Sequence, residues 1–172
     1  MIDIINTNIP NNSNRRIIDA LFKIQGWIYA KDSVAPNINK PDTGFLLSTY
    51  DFFPGKIYCQ NDILNTYAYM ILDIVNQNSL IKIKEVKRIQ WNWYNPYSQT
   101  EFHKDFDEER YYSIIYSIHN SDGGTEFKIN DKTTFYKSNE SKALLFPSIL
   151  YHRGKAPKDK PNRFSLNIMG EI

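Results

Sequence analysis

Residues 88–94, RIQWNWY, alternate along an extended chain. Ile89, Trp91 and Trp93 fall on one side, and Gln90, Asn92 and Tyr94 on the other. A sheet backed by helices buries the tryptophan side. The opposite side, two amides and a phenol, suits either the lining of a polar cavity or an ordinary half-exposed strand.

Outward from this strand, everything after residue 80 reads as β. Short β-branched and aromatic runs occupy 81–94, 111–119, 125–129, 133–136, 142–147 and 163–169. Turn formers separate them at Asn95-Pro96, Asp122-Gly123-Gly124 and Asn130-Asp131. Strands at this spacing indicate a sandwich, barrel or jelly roll. Upstream lie two stretches of helical period. In SNRRIIDALFKIQGWIYA, Ile17, Ile18, Leu21, Phe22, Ile24 and Ile28 gather near one face, with Ser13 or Asn14 as N-cap. In NDILNTYAYMILDIVNQN, Ile63, Leu64, Tyr67, Met70, Ile71, Ile74 and Val75 recur at three and four, capped by Asn61 or Asp62. Between them KDSVAPNINKPDTG is a loop, and FLLSTYDFF reads as a strand. Helices first and strands after give an α+β class, the helices bracing one face of a β-roll. The 172 residues form one expected domain, with 1–80 as helical support and mouth loops and 81–172 as the β core.

Composition narrows the function classes. A formal net charge of +2 excludes a polybasic arm as the main affinity device. The single cysteine, Cys59, cannot form an internal disulfide, and nothing around it marks a nucleophile, so a packing role and a reducing, cytoplasmic setting are expected. No apolar run approaches the roughly 18 residues that span a bilayer, and no secretory leader is recognisable.

The segment EFHKDFDEER, 101–110, places His103 and Asp105 two apart, hence on one face if the chain is extended there. Two histidines and one carboxylate can fill one face of a ferrous ion and leave positions open for a bidentate cosubstrate and dioxygen. The remaining histidines are His119 and His152. His119 has no carboxylate at motif spacing and reads as a core or surface residue. An apolar strand ends at Phe146-Pro147-Ser148 and the chain reaches His152 just past a turn, so His103, Asp105 and His152 form the best triad. Downstream, Arg163 and Ser165 face the same way on a final strand, where a guanidinium matches a carboxylate with a two-pronged fork. Asp107, Glu108, Glu109 and Arg110 read as a solvated loop or a lid.

The order His103-x-Asp105, His152, Arg163-x-Ser165 resembles the iron(II)/2-oxoglutarate-dependent dioxygenases. The resemblance covers residues 89–170 and includes the strand YSIIYSI, the segment DGGTEF and the approach ALLFPSILYHRGKAP. It implies a double-stranded β-helix, or jelly roll, with the metal in its mouth. It further implies that His103, Asp105 and His152 bind Fe(II) and that Arg163, with Ser165, holds the far carboxylate of 2-oxoglutarate. Tyr94 matches a tyrosine that bonds the same carboxylate, and Tyr116 is the second candidate for that role. Dioxygen is the co-reactant, ascorbate a candidate accessory, and decarboxylation to succinate would drive hydroxylation of a substrate.

The Phe-Pro-Ser and Gly-Gly features and the small size resemble the prolyl-4-hydroxylase-like branch, including short bacterial and phage proteins. This implies a protein or peptide substrate, such as a proline side chain. Tyr97 and Thr100 stand where that branch commonly has Gly and Tyr. Asn92-x-Tyr94-x-Pro96 ahead of the metal motif and Asp107-Glu108 after it resemble the AlkB-type demethylases of nucleic acids instead, although Met169 stands where those carry a second arginine. Nucleic acid is therefore the alternative partner, and a jelly-roll binding module without turnover is the third reading. No membrane partner is expected, and the sequence leaves oligomeric state and the roles of loops 31–44 and 104–111 open.

Overall fold

The computed structural model describes residues 1–29, 44–52, 59–96, 98 and 100–172. Most of loop 31–44, together with Phe53 and Tyr97, lies outside the described residues. In chain order the elements are β1 Asp3–Asn6, α1 Asn11–Lys23, β2 Ile28–Tyr29, β3 Phe45–Asp51, α2 Asp62–Gln77, β4 Glu85–Tyr94, β5 Tyr111–Ser117, β6 Gly124–Ile129, β7 Lys132–Lys137, β8 Lys142–Pro147, β9 Tyr151–Lys155 and β10 Arg163–Glu171.

Two antiparallel sheets make the jelly roll. The larger has seven strands in the order β1-β8-β5-β10-β4-β3-β2, and the smaller has three, β7-β6-β9. The first 80 residues thus give more than support, because β1, β2 and β3 are strands of the larger sheet. Asn130 and Asp131 join β6 to β7 with φ of 48° and 60°, the left-handed pair that matches strand twist in a two-residue hairpin. Gly124 opens β6 because a Cβ there would fall 2.1 Å from the Tyr136 carbonyl oxygen.

The helices cover the outer face of the larger sheet. Asn61 Oδ1 accepts from the Leu64 amide at 2.9 Å and caps α2, whose Leu64, Ala68, Ile71, Leu72 and Val75 are buried at helical spacing. They pack with Ile17 and Leu21 of α1 against Ile89, Trp91, Ile114, Leu166 and Ile168. The α2 stripe is narrower than the sequence pattern suggests, since Ile63 and Met70 remain exposed.

Helix α1 differs from expectation at both ends. Pro10 is its N-cap, without a side-chain capping bond, and Ile24 is already extended, so Ile28 belongs to β2. Asn14 is buried instead of capping. Its Nδ2 donates to Glu140 Oε1 and Ser141 Oγ, both at 3.1 Å, and its Oδ1 accepts from the Tyr116 hydroxyl at 2.7 Å. Cys59 packs partly buried against the helix-side core. Among the described residues, no helix is long and apolar enough to cross a membrane.

Between the sheets lies a second, smaller core of Ile115, Phe127, Leu144 and Phe146. Two of its members, Phe127 and Phe146, pack against the His152 ring.

Candidate active site

The two histidines sit directly opposite each other. His103 donates its amide to the His152 carbonyl at 2.9 Å and accepts the His152 amide at 2.9 Å, an antiparallel bridge that extends the smaller sheet beyond β9. Opposite residues project to the same side, so the rings lie 4.6 Å apart between centroids. His152 lies just past the turn that follows β8, as expected, and there it belongs to a further strand, β9. Its ring is wedged against Phe146 at 4.9 Å and Phe127 at 5.8 Å, which fixes its orientation by packing.

Both imidazoles have a defined tautomer. His103 Nδ1 lies 3.0 Å from the Glu101 carbonyl oxygen, and His152 Nδ1 lies 2.9 Å from that of Leu150. A carbonyl only accepts, so Nδ1 carries the proton and each Nε2 keeps a free lone pair. Burial pulls the His152 imidazole below its ordinary value against the attraction of Asp105. Asp105 follows the bridge in a bend, its amide held by the Ser148 carbonyl at 3.0 Å. Its Oδ2 is 3.5 Å from His152 Nε2, and one ligand atom from each of the three residues lies within 4.8 Å of the others.

Three side chains that sequence reasoning missed hold that carboxylate. Arg88 of β4 donates to Oδ1, Ser113 of β5 donates to Oδ2 at 2.7 Å, and Asn167 of β10 donates at 3.2 Å. Burial alone would raise the Asp105 carboxyl, but Arg88, His152, His103 and the Ser113 hydroxyl outweigh it and hold it well below the usual range. The signal for two of these residues was present. Arg88 continues the alternation of Gln90, Asn92 and Tyr94 backwards, and Asn167 continues that of Arg163 and Ser165 forwards. Ser113 had none.

Arg163 and Ser165 face the interior of the roll, buried to 1% and 2% exposure. Arg163 Nε donates to Ser138 Oγ at 2.8 Å and one terminal nitrogen reaches Thr125 Oγ1 at 3.4 Å, while NH1 has no hydrogen-bond partner among the described residues. Burial pulls the guanidinium below its ordinary value, with Tyr94 opposing. The Tyr94 ring lies 4.8 Å below it, on the strand position paired with Arg163. Gly154 makes room for that ring, because a Cβ there would approach the Tyr94 hydroxyl oxygen to 2.4 Å.

Tyr116 does not reach this site. It shares the face of Ile114, packs in the helix-side core and bonds Asn14, so the sheet separates it from Arg163. The acidic run after Asp105 is exposed and internally paired, with Lys104–Asp107 at 3.0 Å and Arg110–Glu108 at 2.8 Å.

The donor set fits a metal ion of the ferrous type: two imidazole lone pairs and one carboxylate converge, with an outer layer orienting each. The buried guanidinium with an unused nitrogen fits a carboxylate, since an uncompensated buried charge costs several kcal/mol.

Comparison with known proteins bears on the fold. No protein-family model and no curated protein matches the sequence. Solved structures do match. A prolyl-4-hydroxylase from Pseudomonas putida superposes with a TM-score of 0.63 at 14% identity, over 99% of this chain and 92% of that one. A prolyl hydroxylase from Trichoplax adhaerens, in complex with a hypoxia inducible factor peptide fragment, gives 0.70 at 10% identity, over 99% and 83%. HygX from Streptomyces hygroscopicus, with nickel and 2-oxoglutarate bound, gives 0.68 at 10%, also over 99% and 83%. The chain has the fold of the 2OG-Fe(II) oxygenases. Within that oxygenase fold, His103, Asp105 and His152 stand between the two sheets, and Arg163 enters from the first residue of β10.

Proposed function

We propose that this chain is an Fe(II)- and 2-oxoglutarate-dependent dioxygenase acting on a protein or peptide side chain, with proline as the leading candidate. One observation carries the reading: a fully buried guanidinium, without a carboxylate partner among the described residues, shares the interior with three convergent candidate ligand atoms. His103, Asp105 and His152 would hold the metal. Arg163, cushioned by Tyr94 and beside Ser165, would take the distal carboxylate of 2-oxoglutarate. With both groups bound, they would supply oxidative decarboxylation: one atom of dioxygen would go to succinate as carbon dioxide leaves, and the other to a C–H bond of the substrate.

The chain's own residues prepare the site. Main-chain carbonyls accept from Nδ1 of both rings and so turn each Nε2 toward the other ligands, and Arg88, Ser113 and Asn167 keep Asp105 ionised and aimed. The apolar cluster of Phe127 and Phe146 excludes water behind His152. The peptide reading is supported by the fold's likeness to two prolyl hydroxylases, one of them solved with a peptide.

The test has two stages. Anaerobic addition of Fe(II) and 2-oxoglutarate should produce the weak visible charge-transfer band of the chelate, and air should then yield succinate. A missing band with no succinate refutes the chemistry. Peptide pools are then searched for a metal-dependent gain of one oxygen. Formaldehyde release from methylated oligonucleotides, with peptides unchanged, would transfer the substrate to nucleic acid.

A further inference from the structure

His119, which the metal site does not use, lies at the end of the strand pair that carries Arg163. The β5–β10 ladder has its last rung between Ser117 and Ser165. Past it the β5 chain turns away, and no carbonyl is left for the amide of Phe164. The imidazole replaces it: His119 Nε2 accepts the Phe164 N–H at 3.0 Å. Its Nδ1 lies 3.2 Å from the Asn120 carbonyl, so that nitrogen carries the proton and the ring is neutral. Adding a proton at Nε2 would set one N–H against another and break the contact, one residue from the guanidinium.

We propose that His119 is a positioning residue for the cosubstrate anchor, its neutral ring closing the ladder at Arg163, so that acidification loosens Arg163 and weakens 2-oxoglutarate binding. This rests on the reading that Arg163 takes the cosubstrate carboxylate. The charged groups that act on the ring are Arg163 on β10, Glu140 between β7 and β8, and Lys160 between β9 and β10. Burial first, and then the two cations, disfavour a charged ring, while Glu140 and the Asn120 carbonyl favour it; the balance lies below the ordinary histidine value. A protonated ring would also attract an anion at Arg163. However, it packs against Phe164, 6.1 Å between centroids, whose side chain points to the helix side while the guanidinium points inward. The lost hydrogen bond acts directly on the backbone of the anchor and dominates.

The experiment titrates 2-oxoglutarate by calorimetry into Mn(II)-saturated protein at pH 7.5, 6.5 and 5.5, with manganese occupancy followed by its spin resonance. From pH 7.5 to 5.5 the wild-type affinity should fall about tenfold more than that of His119→Gln, the effect of one well-placed hydrogen bond. Glutamine keeps an acceptor where Nε2 was and should restore the pH 7.5 affinity that His119→Ala loses. In metal-free protein, the Phe164 amide resonance should titrate with the His119 ring in wild type and stay flat in His119→Gln. If that variant does not fold, the wild-type affinity must fall with the same midpoint as the Phe164 shift. Parallel pH profiles, a wild-type affinity that rises on acidification, or a Phe164 amide indifferent to pH each overturn the inference alone. Absence of 2-oxoglutarate binding at every pH, with manganese bound, overturns the reading of Arg163 along with it.

Discussion

The two faces of the seven-stranded sheet are built from the same strands and have opposite chemistry. Toward the helices, β4, β5 and β10 present Ile89, Trp91, Ile114, Tyr116, Phe164, Leu166 and Ile168. Toward the cavity the same strands present Arg88, Gln90, Asn92, Tyr94, Ser113, Arg163, Ser165 and Asn167. The period of two lets one strand serve both purposes, because neighbouring residues never compete for a face. Stability is concentrated on the first face. The second holds buried polar groups that the fold alone does not require, so substitutions on the two faces should differ in size and, at a buried charge without a counter-ion, in sign.

The largest expected effect lies on the helix side. Trp91 is fully buried, and Trp91→Ala should cost about 3–5 kcal/mol, lowering the melting temperature by roughly 10 °C. Calorimetric melting of the metal-free protein checks this. A loss under 1 kcal/mol would mean that the helices brace the sheet only loosely.

Much of this contrast was legible in RIQWNWY, where alternation separates the two faces before any contact is known. The convergence of His103, Asp105 and His152 was legible as well, because the chain has only three histidines and the spacing His103-x-Asp105 is local. The failures have physical causes. Tyr116 lies in YYSIIYS, a strand in which all but Tyr112 are buried, so hydrophobicity does not reveal which side faces the cavity. Strand β9, Tyr-His-Arg-Gly-Lys, has too little apolar character to be recognised; it is defined by pairing with β6 and with His103. Helix α1 begins ahead of its expected cap because Asn14 bonds to residues more than 100 positions away. Ser138 and Thr125, the partners of Arg163, come from the strand and strand end of the facing sheet and carry no local mark.

The cavity face itself divides between a paired and an unpaired cation. Arg88 meets a carboxylate and Arg163, among the described residues, does not. Arg88→Ala strands Asp105, which is 2% exposed, and should destabilise the metal-free protein by about 2 kcal/mol after allowing for the 20% exposure of Arg88. Arg163→Met should do the reverse, raising the melting temperature by a few degrees, since an apolar side chain replaces an uncompensated buried charge. The same variant should lose 2-oxoglutarate affinity about a hundredfold, the loss expected for a charge-assisted two-pronged contact. Melting curves with and without 2-oxoglutarate and a divalent ion measure both quantities. If Arg163→Met melts lower and binds 2-oxoglutarate normally, the guanidinium is structural and the comparison of the faces fails.

A smaller effect is expected at Gly154, where the added methyl of Gly154→Ala meets the Tyr94 ring. Tyr94 would have to tilt away from Arg163. About a tenfold loss of 2-oxoglutarate affinity should result, with little change in metal affinity, because His152 faces its own packing partners two residues earlier. Equal losses for metal and cosubstrate would mean that β9 moves as a whole.

The smallest effect is on stability against pH, and it distinguishes a neutral histidine that serves the fold from one that only occupies space. His119 is held below its ordinary value when folded, chiefly by burial. The unfolded chain therefore binds the proton more readily, and stability must fall as pH drops below the unfolded value of about 6.5, until the folded ring is protonated too. His152 is shifted in the same direction and contributes in parallel, so wild type alone does not separate the two. His119→Gln removes one contribution and leaves the other. Its melting temperature should decline less than that of wild type between pH 7.5 and 5.5, and the gap between the two curves is the share of the fold that depends on a neutral ring at the end of β10. Coincident curves would mean that the Phe164 amide gains nothing from that ring, and that Arg163 is positioned by Ser138, Thr125 and Tyr94 without it.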